Sequence, residues 1–187
     1  MNKVIFIIVR SSTDDQWLND KMLQITQSCQ EHMVNGKSPT YVLDSYDQIN
    51  DYLDQAEWLF VQSAGDYILD LDHIWEKVFD IPDDIGLIGH LTWNDGCNTP
   101  YLENQCFIIN TKAVTHLNFE KKKETGKLFF RSQEDLHDGH APLWLGLTND
   151  IVTRYDRFGT CVMENILVNG YRVVNFDETW RYGQRTK

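Results

Sequence analysis

The chain has 187 residues, of which 17 are Lys or Arg and 28 are Asp or Glu, so its formal net charge is −11. That acidic excess argues against binding to nucleic acid or to anionic membranes, because both partners require a surplus of basic side chains. Hydrophobic residues make up 42% and aromatic residues 12% of the chain, which is enough to bury a core and excludes a disordered protein. We therefore expect one folded domain over residues 1–187.

The charge is unevenly distributed along the chain. Residues 1–110 hold 5 basic and 18 acidic residues, a balance of −13, whereas residues 111–187 hold 12 and 10, a balance of +2. An anionic ligand would therefore draw its cationic partners mostly from the second part.

The apolar runs are all short. The first, from Val4 to Val9, is too brief for the apolar region of a secretory signal, and no run reaches the roughly 18 apolar residues of a membrane span. We therefore expect a cytoplasmic protein without a membrane span. The four cysteines form no CxxC pair, which favours free thiols over disulfides: Cys29, Cys97, Cys106 and Cys161.

The first half of the chain alternates apolar runs with amphipathic segments. Strands are predicted over 3–9, 40–43, 57–62 and 85–90, and helices over 17–33, 46–56 and 68–79. Asp14 and Asp15 are candidate caps of the first helix. Its apolar positions are spaced for one buried face: Trp17, Leu18, Met22, Ile25, Cys29 and Met33.

The second half is less regular. It predicts a loop over 91–100, a strand over 106–109, a short helix over 111–117, a helix over 159–169 and a final strand over 171–176. Residues 118–141 lack steady periodicity and are expected to be a partly mobile insertion. The alternation as a whole predicts an α/β domain with a mainly parallel sheet and flanking helices.

Polar residues follow the first three predicted strands. Arg10, Ser11 and Thr13 come after the first strand, Asp44 after the second and Asp66 after the third. The carboxyl ends of parallel strands meet at one edge of a sheet, where open α/β domains bind their ligands. These residues are therefore predicted to form a ligand site.

This order of motifs resembles the nucleotide-sugar glycosyltransferases of the GT-A fold. Arg10-Ser-Ser-Thr13 stands where the family places a small polar loop beside the nucleotide base, and Asp44 where it places a contact to the base or ribose. Gly159-Thr-Cys-Val-Met-Glu164, followed by Gly170-Tyr171, resembles the late segment that carries the family's catalytic base. The resemblance implies a nucleotide-sugar donor, a hydroxyl-bearing acceptor and Glu164 as the base.

The family's Asp-x-Asp motif, which holds Mn or Mg against the diphosphate, corresponds here to Ser63-Ala-Gly65 followed by Asp66. Asp66 is thus the remaining candidate metal ligand of that motif, and a helix cap is the competing interpretation. The resemblance also allows a late His as a ligand. His140, in the run Asp135-Leu-His-Asp-Gly-His140, fits that role, although the same run is typical of a polar surface loop.

Three further residues are candidate substrate contacts. Asn110 ends the apolar run that resembles the family's acceptor-side strand. Trp93 and Trp180 have turn-forming neighbours, and flat rings with polar edges suit sugars, protein interfaces and cores alike. The alternative to a glycosyltransferase is a non-catalytic binding or assembly module that keeps the fold.

Overall fold

A computed structural model of the protein describes residues 2–10, 15–34, 38–65, 81–92, 101–119, 125–131, 144–153 and 158–176. The strands in these ranges are β1 (Asn2–Val9), β2 (Thr40–Leu43), β3 (Ala56–Ser63), β4 (Ile85–Thr92), β5 (Tyr101–Asn110), β6 (Thr125–Arg131), β7 (Trp144–Thr153) and β8 (Arg172–Asn175). The helices are α1 (Gln16–Val34), α2 (Thr160–Val168) and two 3₁₀ helices, Tyr46–Tyr52 and Thr111–Ala113. Neither α1 nor α2 combines the length and the apolar composition needed to cross a membrane.

The described strands form one sheet in the order β2-β1-β3-β5-β4-β8-β7-β6. The α/β class is therefore confirmed, but the sheet is mixed and the prediction of a mainly parallel sheet is wrong. Three pairs are parallel (β1 with β2, β1 with β3, β4 with β8), and four are antiparallel (β3 with β5, β4 with β5, β6 with β7, β7 with β8). The eight residues 93–100 between β4 and β5 are too few for a crossover helix, so β5 returns antiparallel to β4.

The two faces of the sheet carry separate apolar clusters. Alternate residues of the strands point to opposite faces, so Ile7 and Val9 of β1 join one cluster while Phe6 joins another. The first cluster includes Ile49 of the first 3₁₀ helix and Ile166 of α2. The long apolar runs of β1 and β3 are thus buried on both faces, as their sequences predict.

Helix α1 covers the face opposite the first 3₁₀ helix. Its Leu23 packs against Ile8 and Ala64. The chain therefore leaves β1 toward one face and leaves β2 toward the other before it enters β3. In a sheet with the order β2-β1-β3 this change of face defines a topological switch point at the carboxyl ends of β1 and β3.

The orientation of α1 differs from its predicted one. The cap is confirmed, because Asp15 Oδ1 accepts a hydrogen bond of 3.1 Å from Leu18 N. However, Leu18 is 41% exposed, and Trp17 and Ile25, at 68% and 52%, are exposed as well. The face of α1 toward the sheet includes a polar residue instead. The fully buried Thr26 hydroxyl accepts a hydrogen bond of 2.9 Å from Gly65 N, which follows the end of β3.

Several element predictions change in the structure. The predicted helices 46–56 and 111–117 are the shorter 3₁₀ helices. Within the segment 118–141, predicted to be a mobile insertion, residues 125–131 form β6. Strand β7 was not predicted, because Gly, Asn and Asp within it are poor strand formers and its pairing with β6 and β8 compensates for them. The predicted helix 68–79 and the residues 93–100 of the predicted loop lie outside the described residues.

The predictions for the cysteines and for the final strand agree with the structure more closely. The strand predicted over 171–176 is β8. Within the described residues, the buried Cys106 and the half-buried Cys161 form no disulfide, as predicted for these two cysteines. The bond between Arg172 and Asp84 joins the start of β8 to the residue before β4. The Arg172 guanidinium donates to both Asp84 carboxylate oxygens, at 2.6 and 3.0 Å, and lowers the pKa of that carboxyl.

The glycines that flank α2 allow a matched test of packing at the helix start. Gly159 (φ 75°) and Gly170 (φ 84°) both have left-handed backbones, but a Cβ on Gly159 would lie 2.6 Å from Leu102 Cβ, whereas one on Gly170 would meet nothing within 4 Å. We expect Gly170→Ala to lower the free energy of unfolding by about 1–2 kcal/mol through backbone strain. Gly159→Ala should lose about 1–3 kcal/mol more through overpacking. Denaturant unfolding measures both, and equal losses would contradict the contact with Leu102.

Candidate functional site

The carboxyl ends of β1 and β2 bring together two of the predicted ligand residues. Arg10 Nε lies 3.1 Å from Asp44 Oδ1, and Arg10 Nη1 lies 3.9 Å from Asp20 Oδ1 on α1. Arg10 N also donates a hydrogen bond of 2.8 Å to Leu43 O, which sets the backbone of Arg10 beside the end of β2. The switch point therefore has a charged group on its α1 side.

Both members of this ion pair remain accessible. The Arg10 side chain is 37% exposed and that of Asp44 is 80% exposed. An exposed ion pair contributes little to stability, because water competes for both charges. The pair can therefore exchange its internal contact for a ligand at small cost.

On the other face, the end of β3 carries a cluster of hydroxyl groups. Tyr46 OH lies 2.6 Å from Ser63 Oγ, and both hydroxyls are within donating distance of Asn104 O, at 2.8 and 2.6 Å. The Tyr46 ring packs edge-on against Phe158 at 4.7 Å. This cluster ties the first 3₁₀ helix, β3 and the start of β5 together at the ligand edge.

The positions that correspond to the Asp-x-Asp motif hold no carboxylate up to Gly65. Ser63 is engaged with Tyr46 and Asn104, and Gly65 has a left-handed backbone (φ 100°) whose N–H binds Thr26. Within the part of the chain that the structure describes, no three His, Cys, Asp or Glu side chains are grouped closely enough to hold a metal ion. The predicted ligands Asp66 and His140 lie outside the described residues.

Glu164, the predicted base, is half-buried on α2, one turn after the first helical residue. Helix α2 begins at the ligand edge, because Leu102 N, at the start of β5, donates a hydrogen bond of 3.2 Å to Phe158 O. Strands β1 and β4 are three positions apart in the sheet, or about 14 Å. Helix α2 contacts β4, so Glu164 lies on the far side of β3 and β5 from the pair Arg10 and Asp44.

Asn110, a predicted substrate contact, lies at the opposite ends of the strands, away from the carboxyl ends of β1 and β3. It ends β5, which runs antiparallel to β3 and pairs Asn110 with Trp58. Its side chain is buried, donates a hydrogen bond of 3.1 Å to Ile85 O and accepts one of 3.1 Å from Lys112 N. The structure therefore gives Asn110 the role of a cap and a strand link.

The other predicted site residues, which are Ser11, Thr13, Asp66, Trp93, His140 and Trp180, lie outside the described residues. The structure adds residues that sequence reasoning missed. The sequence contains one indication of the position of Tyr46. Ser45 followed by Gln48 is a pattern typical of a helix start, and in the structure Gln48 Oε1 accepts hydrogen bonds from Asp44 N and Ser45 N. His90, exposed near the end of β4 with its ring 5.2 Å from that of Phe176, had no such signal.

The hydroxyl cluster can be tested by a double-mutant cycle. Tyr46→Phe and Ser63→Ala should each lower the free energy of unfolding by about 1 kcal/mol, because each removes hydrogen bonds in a partly buried place. The double variant should lose less than the sum, since the two hydroxyls share partners. Tyr52→Phe is the control. The ring centroids of Tyr52 and Tyr41 are 4.6 Å apart, and this packing remains when the hydroxyl is removed, so the free energy of unfolding should change little. Additive losses would contradict the shared cluster.

Comparison with protein-family models, with curated proteins and with solved structures gives no match to this chain. The function of the protein must therefore be inferred from its own residues and their geometry.

Proposed function

We propose that this protein binds a nucleotide-sugar at the carboxyl ends of β1, β2 and β3 and transfers the sugar to a hydroxyl-bearing acceptor, as a relative of the GT-A glycosyltransferases. The observation that carries the proposal is the switch point of the order β2-β1-β3, with Arg10 and Asp44 in contact beside it. Ligands of open α/β sheets bind at such points. The resemblance of the strand-end residues to the GT-A motifs gives the class of ligand.

Each charged residue has a distinct task in this proposal. The Arg10 guanidinium binds the nucleotide base, since its planar N–H donors match the base oxygens and its flat face stacks on rings. The Asp44 carboxylate accepts hydrogen bonds from the ribose hydroxyls or the base. Asp20, 3.9 Å from Arg10 Nη1, helps to orient the guanidinium. The ligand thus exchanges the Arg10 and Asp44 contact for two contacts of its own.

Glu164 is the proposed general base. A nucleotide-sugar is elongated, so its nucleoside can lie at Arg10 and Asp44 while its diphosphate and sugar extend along the strand ends toward α2. A carboxylate there removes the proton of the acceptor hydroxyl as the oxygen attacks the anomeric carbon, and the nucleoside diphosphate leaves. The half-buried position of Glu164 suits a group that must contact both acceptor and water.

Divalent metal has a small role in this proposal. Mn or Mg would need oxygen ligands, and Ser63 and Gly65 stand where the GT-A motif has carboxylates. The negative charge of the leaving diphosphate must therefore be stabilised in part by basic side chains or N–H donors, where the GT-A enzymes use the metal ion. The absence of carboxylates at Ser63 and Gly65 also favours the second candidate function, a binding or assembly module that holds the nucleotide-sugar without transferring it.

Nucleotide binding is measured by calorimetry with UDP and GDP. Asp44→Ala and Arg10→Ala should each weaken binding by about 10-fold or more, because each removes charge-assisted hydrogen bonds to the ligand. Glu57→Ala is the matched control, since it breaks the exposed ion pair with Lys3 at the opposite edge of the sheet. Wild-type affinity in both edge variants, or no binding of either nucleotide, would contradict the proposed site.

Catalysis is tested with Glu164→Gln, which keeps the shape of the side chain and removes the proton acceptor. Turnover should fall by about 10²-fold or more while the donor affinity stays near that of wild type. Asn165→Ala, an exposed change on the same helix, should leave turnover unchanged. Equal turnover of Glu164→Gln and wild type would remove Glu164 from the mechanism. Donor binding without transfer by the wild-type protein would favour the binding module.

A further inference from the structure

The first turn of α2 lacks the side-chain cap that helices usually have. Its cap residue is Gly159, which has a left-handed backbone (φ 75°) and offers no side-chain hydrogen bond. The first bond within this end of the helix runs from Met163 N to Gly159 O, at 2.9 Å. The N–H groups of Thr160 and Val162 have no backbone acceptor among the described residues, so these two outward N–H groups point out of the helix end, where the helix dipole is positive.

Thr160, the first residue of α2, has a buried hydroxyl without a partner. The residue is 4% exposed, and its Oγ1 makes no hydrogen bond within the part of the chain that the structure describes. Buried hydroxyls are normally paired, because losing water without a replacement costs stability. The Cα–Cβ bond of a helical residue tilts toward the helix N-terminus, so the Thr160 side chain leans toward the end that carries the outward N–H groups.

This helix end lies next to the proposed ligand site. Phe158, which precedes Gly159, binds Leu102 N through its carbonyl and packs its ring against Tyr46. Tyr46 in turn contacts Ser63 at the end of β3. The start of α2 thus belongs to the edge of the sheet where β1 and β3 end.

We propose that the first turn of α2 is an oxyanion subsite that binds a phosphate or diphosphate group, with the Thr160 hydroxyl and the outward N–H groups as donors. Helix N-termini bind phosphates through this combination of N–H donors and dipole. The hydroxyl supplies one more donor and gains the partner it lacks. Thr160 is buried in the protein without the oxyanion, so the amides of the first turn should respond to binding.

The subsite requires only the oxyanion, which can come from free pyrophosphate or from the diphosphate of a nucleotide-sugar. The second source, the diphosphate of a nucleotide-sugar, rests on the proposed function. In that case the subsite supplies the N–H and O–H donors that the leaving diphosphate needs in place of a metal ion. The first source does not depend on that function, so the two can be tested apart.

The experiment is a titration of the ¹⁵N-labelled protein with inorganic pyrophosphate and with phosphate at constant ionic strength, followed by amide chemical shifts. The amides of Thr160 and Val162 should shift saturably in wild type. Thr160→Val should weaken the binding by about 5-fold or more, because it removes one donor to a charged group. Thr160→Ser, which keeps the hydroxyl, should bind within about 2-fold of wild type.

Thermal unfolding separates this role from a structural one. Thr160→Val should leave Tm unchanged or raise it, because it removes an unpartnered buried hydroxyl. Thr111→Val is the matched control: that hydroxyl is also buried but donates to Ala56 O at 2.7 Å, so its loss should lower Tm by about 2–4 °C and leave pyrophosphate affinity unchanged. A lower Tm with unchanged affinity in Thr160→Val would overturn the subsite.

A parallel titration with UDP distinguishes the two sources. If UDP binds more tightly than pyrophosphate and shifts Asp44 together with Thr160, the subsite holds the diphosphate of a nucleotide. If pyrophosphate shifts Thr160 and UDP binds no tighter, the subsite stands and the nucleotide part of the proposed function fails. If neither pyrophosphate nor phosphate shifts the first turn of α2, water alone serves the hydroxyl and the subsite is overturned, even where UDP binds at Asp44.

Discussion

Strand β3 pairs with β1 on one side and with β5 on the other, and both halves of the sheet depend on this double pairing. The parallel pair with β1 extends from Asn2 and Ala56 to Val9 and Ser63, and the antiparallel pair with β5 from Trp58 and Asn110 to Gln62 and Cys106. Residues 58–62 of β3 are buried, so the strand gains hydrogen bonds at both edges and apolar contacts on both faces. A shift of one residue in either register would turn these side chains to the wrong faces.

The same double pairing decides what surrounds the ligand edge. Because β5 runs antiparallel, its beginning lies beside the end of β3, and Asn104 O becomes the acceptor for Ser63 and Tyr46. Its end lies at the opposite edge, where Asn110 caps a 3₁₀ helix. One strand reversal therefore brings a hydroxyl cluster to the candidate site and removes Asn110 from it.

The candidate site has two chemically different sides. On the α1 face it has the exposed pair Arg10 and Asp44, and on the other face it has the half-buried hydroxyls of Tyr46 and Ser63 and the start of α2. The charged side can change partners easily, whereas the hydroxyl side is fixed by aromatic packing against Phe158. An extended ligand with a phosphate and several hydroxyls would use both kinds of group.

The sequence by itself determined the strands whose residues are buried on both faces and the polar residues that follow them. Continuous apolar runs such as Val4 to Val9 and Trp58 to Val61 have few alternatives to a central strand, so the position of Arg10 at a strand end followed directly. The tertiary structure decided the direction of β5, the existence of β7, the exposed face of α1 and the burial of Thr160. Each of these depends on contacts between residues far apart in the chain, such as Thr26 with Gly65 and Leu102 with Gly159, which no local pattern of hydrophobicity encodes.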